Sequence, residues 1–196
     1  MAGKRTTDFL NHGGGNRRSF FRTTLGRVAD EVANRAESRV VQQRYLRPPG
    51  ALREVAFLAS CTRCGECVTA CPVSAILKAP TSAGLAAGTP FIDTKIRACI
   101  ACEDMPCAAV CPTDALIVPD EGWVGYRMAD LELIPERCIT FYGSECGACA
   151  RVCPVGDAAI YMDDAGRPVI KVEGCVGCGS CVRACVTSPP SLRLQY

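Results

Sequence analysis

The 196-residue sequence has few of the features on which most enzymes depend. Its single histidine, His12, lies far along the chain from any cysteine, so a histidine general base and a Rieske-type centre are both excluded. The sequence contains neither a GxGxxG dinucleotide motif nor a GxxxxGK[ST] phosphate loop. No apolar run approaches the roughly 18 residues that a membrane-spanning helix needs. A catalytic site built from the usual polar groups is therefore not predicted.

An export signal is also not predicted, although residues 16–22, NRRSFFR, resemble a twin-arginine box. Such a signal needs an apolar segment after the arginines, and residues 23–39 are instead strongly charged. The charged positions there are Arg27, Asp30, Glu31, Arg35, Glu37 and Arg39. We therefore expect a cytoplasmic protein, in which stable disulfides are rare.

Charge divides the chain into a basic N-terminal arm and an acidic remainder. Residues 1–53 carry eleven Lys or Arg against four Asp or Glu, a net charge of +7, whereas residues 54–196 have a net charge of −5. Within the arm, an apolar stripe at helical spacing predicts a helix over about residues 24–46, which Arg47-Pro48-Pro49-Gly50 would end. The stripe consists of Leu25, Val28, Ala29, Val32, Ala36 and Val40. This helix would pack on its own domain, or serve as a docking or oligomerisation arm for another chain. The remaining alternative is that the arm is disordered.

Sixteen cysteines, all in the acidic part, form a fourfold repeat whose motifs begin 38, 39 and 37 residues apart. The four motifs are Cys61-x2-Cys64-x2-Cys67-x3-Cys71-Pro72, Cys99-x2-Cys102-x4-Cys107-x3-Cys111-Pro112, Cys138-x7-Cys146-x2-Cys149-x3-Cys153-Pro154 and Cys175-x2-Cys178-x2-Cys181-x3-Cys185-Val186. Between them lie β-prone runs, FIDTK, ALIVPD, AIYMDD and PVIKV, which predict small hairpins. Such short units contain too little apolar material to fold without another source of core.

The spacing of the cysteines predicts [4Fe-4S] clusters. Three closely spaced thiolates can reach three corners of one cube, while the fourth cysteine is directed to a neighbouring cube. The alternative is tetrahedral zinc held by two CxxC pairs, which would make the protein a scaffold without redox chemistry. Zinc sites rarely have a further cysteine two residues on and another three residues after that. All sixteen cysteines are therefore predicted to be iron ligands in four [4Fe-4S] clusters.

The segment RPPGALREVAFLASCTRCGECVTACP, with the later AGTPF and CxACEDxPCAxVCP, resembles MauM/NapG-type four-cluster ferredoxins. The resemblance covers about residues 47–196. It implies an α+β fold of two bacterial-ferredoxin-like dicluster modules, with short β-hairpins and short helices around the clusters, after the basic helical arm. These proteins are in turn similar to iron-sulfur subunits of tungsten and molybdenum oxidoreductases, in which the second motif also has four residues between its second and third cysteines.

In that wider group the motifs pair in a nested way, the first with the fourth and the second with the third. Carried over, this implies four ligand sets: Cys61, Cys64, Cys67 and Cys185; Cys175, Cys178, Cys181 and Cys71; Cys99, Cys102, Cys107 and Cys153; Cys138, Cys146, Cys149 and Cys111. The nearly constant spacing alone equally allows sequential pairing, the first motif with the second and the third with the fourth. The sequence also departs from the usual pattern at Val186, where proline is common, and in the seven-residue gap after Cys138.

We therefore expect a non-catalytic electron-transfer subunit of an oxidoreductase complex. Its expected partners are a catalytic subunit, such as a tungsten or molybdenum aldehyde oxidoreductase, and a flavin, quinone-linked or ferredoxin partner. Self-association through the N-terminal arm, head to tail, is a further expectation. The alternative is a NapG-like quinol dehydrogenase component that feeds a periplasmic reductase. Neither nucleic acid nor a membrane span is expected.

Overall fold

The structure, a computed structural model, describes residues 45–196 and shows an α+β arrangement of short helices and two-stranded sheets. The helices are α1 (Glu54–Ser60), α2 (Glu66–Ala70), α3 (Pro106–Ala109), α4 (Ala148–Arg151) and α5 (Ser180–Ala184). The strands are β1 (Ile76–Lys78), β2 (Pro90–Ile92), β3 (Asp130–Leu133), β4 (Ile160–Met162), β5 (Pro168–Ile170) and β6 (Leu192–Gln195). Short 3₁₀ helices cover Thr81–Ala86, Pro135–Arg137, Ile139–Tyr142 and Gly156–Ala158. Within the described part of the chain, no helix has both the length and the apolar character needed to cross a bilayer.

The strands repeat the same plan twice. The antiparallel hairpin β1–β2 lies between the first and second cysteine motifs, and β4–β5 lies between the third and fourth. In each half of the chain, the segment that precedes the two cysteine motifs pairs with the segment that follows them. In the N-terminal half this pairing is a single bridge between Ala51 and Leu116, and in the C-terminal half it is the longer strand pair β3–β6. We call residues 45–118 the first module and residues 128–196 the second module. Both have the pattern of a bacterial ferredoxin with two clusters.

A single apolar core runs through the first module and into the second. Phe57, Leu46 and Met105 are its largest fully buried side chains, each at most 1% exposed. The same cluster of buried residues continues to Val176 and Cys178 in the second module. Because burial of apolar surface is the main favourable contribution to folding, this continuity holds the two modules together.

The β-prone runs were predicted correctly in three cases out of four. FIDTK contributes to β2, AIYMDD to β4 and PVIKV to β5. ALIVPD forms only the bridge at Leu116, because its partner segment carries Pro48 and Pro49, which have no amide hydrogen to donate to a longer ladder. The sequence analysis missed β1, β3 and β6, although β3 (DLEL) and β6 (LRLQ) both alternate between polar and apolar residues.

The predicted boundary after residue 53 falls inside the first module and is placed too late. Leu46 is buried and its carbonyl accepts a hydrogen bond from the Ile92 amide at 2.8 Å. The compact unit that contains both modules accordingly begins at Gln43. Leu46 is also extended, in a β-bridge, whereas the predicted helix included it. The rest of that helix, and the docking role proposed for the arm, lie outside the described residues.

A buried arginine fastens this N-terminal segment to the module. The Arg47 guanidinium donates to both carboxylate oxygens of Glu54, at 2.9 and 2.6 Å, to the Thr89 hydroxyl at 2.8 Å and to the Pro90 carbonyl at 2.7 Å. It also lies 4.6 Å from the centre of the Phe57 ring. The side chains of Arg47 and Glu54 are only 8% and 15% exposed, so losing either partner leaves a charge in the interior.

We therefore expect Glu54→Ala to destabilise the holoprotein by about 3 kcal/mol, because it leaves the buried Arg47 charge unpaired. The measurement is the guanidinium concentration at which the visible absorbance of the anaerobic protein is lost.

The matched control is Glu132→Ala, which removes the exposed ion pair between Glu132 and Arg193. Water and salt screen that pair, so its loss should have a much smaller effect. Equal shifts in the two variants would show that Arg47 does not fasten the segment.

Candidate cluster-binding sites

The sixteen cysteines come together in four groups of four. Group A consists of Cys61, Cys64, Cys67 and Cys111, group C of Cys153, Cys175, Cys178 and Cys181, and group D of Cys138, Cys146, Cys149 and Cys185. Each of these groups lines one open-sided cavity, and the three cavities have similar volumes of about 320, 340 and 360 Å³. Group B consists of the remaining four, Cys71, Cys99, Cys102 and Cys107, whose thiols are electrostatic neighbours. Each group thus takes three cysteines from one motif and one from another.

The nested pairing is wrong, because the fourth cysteine of each motif reaches the adjacent motif in sequence. Cys111, and not Cys185, lines the cavity of Cys61, Cys64 and Cys67. Cys185 lies instead beside the cysteines of the third motif. The physical reason is the hairpin between the two motifs of each module, which folds the second motif directly back onto the first. Pairing is therefore sequential, the alternative that the spacing had left open.

A short helix in each motif produces this exchange. The third cysteine lies in the first turns of the helix, as Cys67 does in α2 and Cys181 in α5. The fourth follows the last helical residue in an extended conformation, as Cys71 and Cys185 do. In the first and fourth motifs the fourth thiol thus leaves the helix at an extended residue and reaches the other group of its module.

Burial and crowding make the ionised forms of several of these thiols costly unless a cation is present. Burial, and then the neighbouring Cys61 and Cys107 thiols, raise the pKa of Cys67 to about 11. Burial raises the pKa of Cys99 to about 12, although the Ala101 amide opposes the shift. Burial, followed by Cys178 and Cys175, also raises the pKa of Cys181. Iron binds thiolates and supplies the missing positive charge, so this donor set fits an iron-sulfur cluster.

The cysteines of groups A, C and D are arranged around cavities and not around a single point. Among residues 45–196, no three Cys, His, Asp or Glu side chains come together closely enough to hold one metal ion. The cysteines of groups A, C and D instead surround the cavities described above. A cube of several iron and sulfide atoms has its ligands spread around it in this way.

Hydrogen bonds to sulfur differ between the groups. Backbone amides donate to Cys71 from Ala75 at 3.2 Å and to Cys111 from Leu116 at 3.4 Å. In group D, hydroxyl groups lie within bonding distance of two sulfurs. These contacts are Thr140 to Cys138 at 3.2 Å, Thr187 to Cys185 at 3.2 Å and Ser191 to Cys185 at 3.1 Å. Burial alone would raise the pKa of Cys185, but Ser191 and Thr187 outweigh it and lower that pKa.

The sequence analysis missed these hydroxyl residues, although a signal for two of them is present. A threonine stands two residues after a motif cysteine in Cys138-Ile139-Thr140 and in Cys185-Val186-Thr187, and also in Cys111-Pro112-Thr113. In the last case the Thr113 hydroxyl is 3.9 Å from the Cys111 sulfur. Spacing therefore identifies the candidates, and only the structure distinguishes the close contacts from the distant one.

The four groups follow one another in a row, A, B, C and D. Cys67 of group A and Cys107 of group B are electrostatic neighbours within the first module, and Cys181 of group C and Cys149 of group D are neighbours within the second. Between the modules, Cys178 of group C contributes to raising the pKa of Cys99 of group B, so these two groups are neighbours as well. Groups B and C are therefore internal to the row, and A and D are its ends.

The contact between groups B and C depends on close backbone approach. The Ser180 hydroxyl of the second module donates to the Cys99 carbonyl of the first at 2.9 Å. Gly179 has φ of +80° and leaves no room for a Cβ atom, which would collide with the Thr94 methyl group of the first module. Only glycine satisfies both the conformation and the space.

The two departures from the usual motif pattern both fall at group D. Val186, in the position where proline is common, lines the cavity of group D and is 63% exposed. The longer gap after Cys138 forms the 3₁₀ helix Ile139–Tyr142, which places the buried Thr140 beside Cys138 and leaves Tyr142 71% exposed. The insertion therefore adds a hydroxyl group beside the Cys138 sulfur.

Comparison with known proteins agrees with these groups. Residues 60–115 and residues 131–186 each match a family described as a 4Fe-4S dicluster domain. Each match contains two adjacent motifs, as sequential pairing requires. Together with the sixteen cysteines, the two matches give four [4Fe-4S] clusters and decide against a zinc scaffold.

Several relatives are similar over most of the chain. Ferredoxin-type protein NapG of Escherichia coli is 39% identical over 160 residues, which cover 76% of this chain and 69% of NapG. Methylamine utilization ferredoxin-type protein MauM of Methylorubrum extorquens is 38% identical over 175 residues, 84% of this chain and 76% of MauM. Ferredoxin-type protein NapF of Escherichia coli is 30% identical over 148 residues, 73% of this chain and 81% of NapF.

The grouping predicts how iron losses combine in double variants. Cys64→Ser and Cys111→Ser, which both affect group A, should together cost the same number of irons as either alone, about four. Cys64→Ser with Cys185→Ser should cost about eight irons, because two groups are affected. Iron analysis of anaerobically purified protein measures both. The nested pairing would be supported by the reverse result. In that case Cys64→Ser with Cys111→Ser would cost about eight irons, and Cys64→Ser with Cys185→Ser would cost about four.

Proposed function

The chain belongs to the family of NapG- and MauM-like ferredoxin-type electron-transfer proteins, and we propose that it relays single electrons between a catalytic oxidoreductase subunit and a further redox partner. Four [4Fe-4S] clusters supply the one-electron chemistry. The polypeptide holds these centres in a fixed order and shields them. Its own side chains have no part in transforming a substrate.

We further propose that all sixteen cysteines are iron ligands, in the four sets defined by groups A, B, C and D. Raised pKa values at Cys67, Cys99 and Cys107, caused first by burial in each case, support this assignment. A free cysteine in such a place would stay a neutral thiol, whereas iron holds it as thiolate. The motifs leave no cysteine over for another role.

The observation that carries the relay is the contact between groups B and C. Without it the protein would be two independent ferredoxins on one chain. Cys99 and Cys178 are both buried, and the core that surrounds them is continuous across the modules. Residues of both modules thus bring two centres of different modules close together and exclude water between them.

The relay has two candidate settings, which differ in the partner proteins that donate and accept the electrons. The resemblance to iron-sulfur subunits of tungsten and molybdenum oxidoreductases favours an aldehyde-oxidising catalytic subunit with a flavin, quinone-linked or ferredoxin acceptor. The second candidate is a NapG-like component that takes electrons from a quinol dehydrogenase. It is favoured by the 39% identity to NapG over 76% of this chain. The MauM relatives, named for methylamine utilization, widen the range of possible donors.

Anaerobic co-purification from the native host, with identification of the accompanying chains, distinguishes these contexts. A tungsten- or molybdenum-containing chain supports the first, and a quinol-oxidising membrane protein supports the second. Recovery of the protein with no redox partner of either kind would contradict both contexts.

The relay predicts that Gly179→Ala weakens electron exchange between the modules. The added methyl group collides with Thr94, a short and stiff side chain, so groups B and C must move apart. We expect the magnetic coupling between clusters of the fully reduced protein, measured by electron paramagnetic resonance, to decrease while the iron content stays at about sixteen.

The matched control is Gly65→Ala in the first motif. Gly65 begins α2 with φ of +92°, so the backbone strain is similar, but its added methyl group meets only the flexible end of Lys78. The coupling should remain as in the unaltered protein. A decrease of equal size in both variants would show that the Gly179 contact does not set the distance between the modules.

A further inference from the structure

Group D differs from the other groups in the hydrogen-bond donors that surround its sulfurs. Thr140, Thr187 and Ser191 place three hydroxyl oxygens 3.1 to 3.2 Å from Cys138 and Cys185. The Ser191 amide also donates to Cys185, at 3.3 Å. Two of the four thiolates of group D therefore have hydroxyl groups close to their sulfur atoms.

Coordination fixes the direction of these hydrogen bonds. A thiol and a hydroxyl can each donate, but a cysteine bound to iron has lost its proton and can only accept. In a bond between a hydroxyl group and a coordinated sulfur, the hydroxyl must therefore be the donor. Thr140 is 6% exposed, so its hydrogen has no alternative partner in bulk water. Ser191 is 3% exposed, and its hydroxyl oxygen also lies 3.3 Å from that of Thr187, so at least one of these two hydroxyl groups donates to Cys185.

The other groups rely on backbone amides as their close donors to sulfur. In group A the Leu116 amide donates to Cys111 at 3.4 Å, while the Thr113 hydroxyl is 3.9 Å away. In group B the bonds to Cys71 and Cys99 also come from backbone amides. In group C the Ser180 hydroxyl lies near Cys178, but it gives its single hydrogen to the Cys99 carbonyl at 2.9 Å. Among residues 45–196, group D is thus distinguished by hydroxyl groups 3.1 to 3.2 Å from two of its sulfurs, in addition to an amide donor.

Hydrogen bonds to the ligand sulfurs change a reduction potential in a known direction. Reduction adds one negative charge to the cluster and its thiolates, and donors directed at sulfur stabilise the more negative state. The side chains that line the two end cavities carry no net charge in either case. No charged side chain lines the cavity of group D, and that of group A is lined by one charge of each sign, Arg63 and Glu66.

We propose that the hydroxyl groups of Thr140, Thr187 and Ser191 give group D the highest reduction potential of the four, which makes this end of the row the exit for electrons. This inference rests on the proposed relay. One electron leaves a reduced donor near group A, each transfer along the row oxidises one centre as it reduces the next, and an oxidised partner at group D takes up the electron. No proton or further reactant is required.

The position of group D agrees with this role. It is an end of the row, with group C as its neighbour through Cys181 and Cys149. Its cavity wall includes the exposed Val186, so an acceptor can approach it. A high potential at an internal group would instead trap the electron before it reached a partner.

The test is an anaerobic potentiometric titration of the full-length holoprotein, followed by electron paramagnetic resonance. Thr140→Val, Thr187→Val and Ser191→Ala should each lower the highest midpoint potential. We expect roughly a tenfold decrease in the equilibrium constant for one-electron reduction, equal to about 59 mV. Thr140→Ser keeps a hydroxyl group, so its highest midpoint potential should stay close to that of the unaltered protein.

The matched control is Thr113→Val, which removes the corresponding hydroxyl in group A. Because this hydroxyl is 3.9 Å from the Cys111 sulfur, its removal should leave every midpoint potential close to that of the unaltered protein. A variant that loses the cluster of group D, recognised by a fall of about four irons, is equally informative. The potential that disappears must then be the highest.

Two results would overturn the inference. One is an unchanged highest potential in all three variants with full iron content. The other is a shift, or a loss, confined to a centre of lower potential. Either would leave the relay itself in place, whereas an unaltered protein with far fewer than about sixteen irons would contradict the proposed function as well.

Discussion

The exchange of cysteines between adjacent motifs is the constraint on which the rest of the structure depends. Each motif keeps three thiols for its own group and gives the fourth to its neighbour, as Cys111 joins Cys61, Cys64 and Cys67. Two cofactors shared in this way tie together segments that have little apolar material of their own. The helices in the four motifs have only four or five residues and would not be stable in isolation. Each of them carries a cysteine of one group and is followed by a cysteine of the other, so the two clusters would hold it at both ends. Cluster binding and folding are therefore the same event in each module.

A second constraint acts between the modules. Groups B and C meet because the core continues from Phe57 to Val176 and because Gly179 lets the fourth motif approach Thr94. This contact turns two ferredoxin modules into one row of four centres. The row has two ends of different chemistry, and the hydroxyl donors at group D give it a direction. The function thus follows from local features at three places, which are the exchanged cysteines, the junction and the donors at one end.

Much of this was predictable from the sequence, and the reasons for the failures are physical. The four clusters follow from the spacing of the sixteen cysteines, because three closely spaced thiolates suit a cube better than a single ion. The two-module fold was implied by the resemblance to MauM/NapG-type ferredoxins. Pairing did not follow, since Cys111 and Cys185 stand in equivalent positions and only the hairpins decide which group each one reaches. The boundary after residue 53 was misplaced because basic composition hid the buried role of Arg47, whose charge is neutralised by Glu54. The hydroxyl donors of group D were missed because Ser191 is brought to Cys185 by the turn that leads into β6, which no local pattern predicts.

The most direct test of the central claim is a crystal structure of the anaerobically prepared protein with anomalous diffraction measured at the iron edge. We predict four compact iron centres in a single row, with Cys111 bound at the centre of Cys61 and Cys185 bound at the centre of Cys138. Single-ion sites, or a map in which Cys111 and Cys185 have exchanged places, would contradict the account.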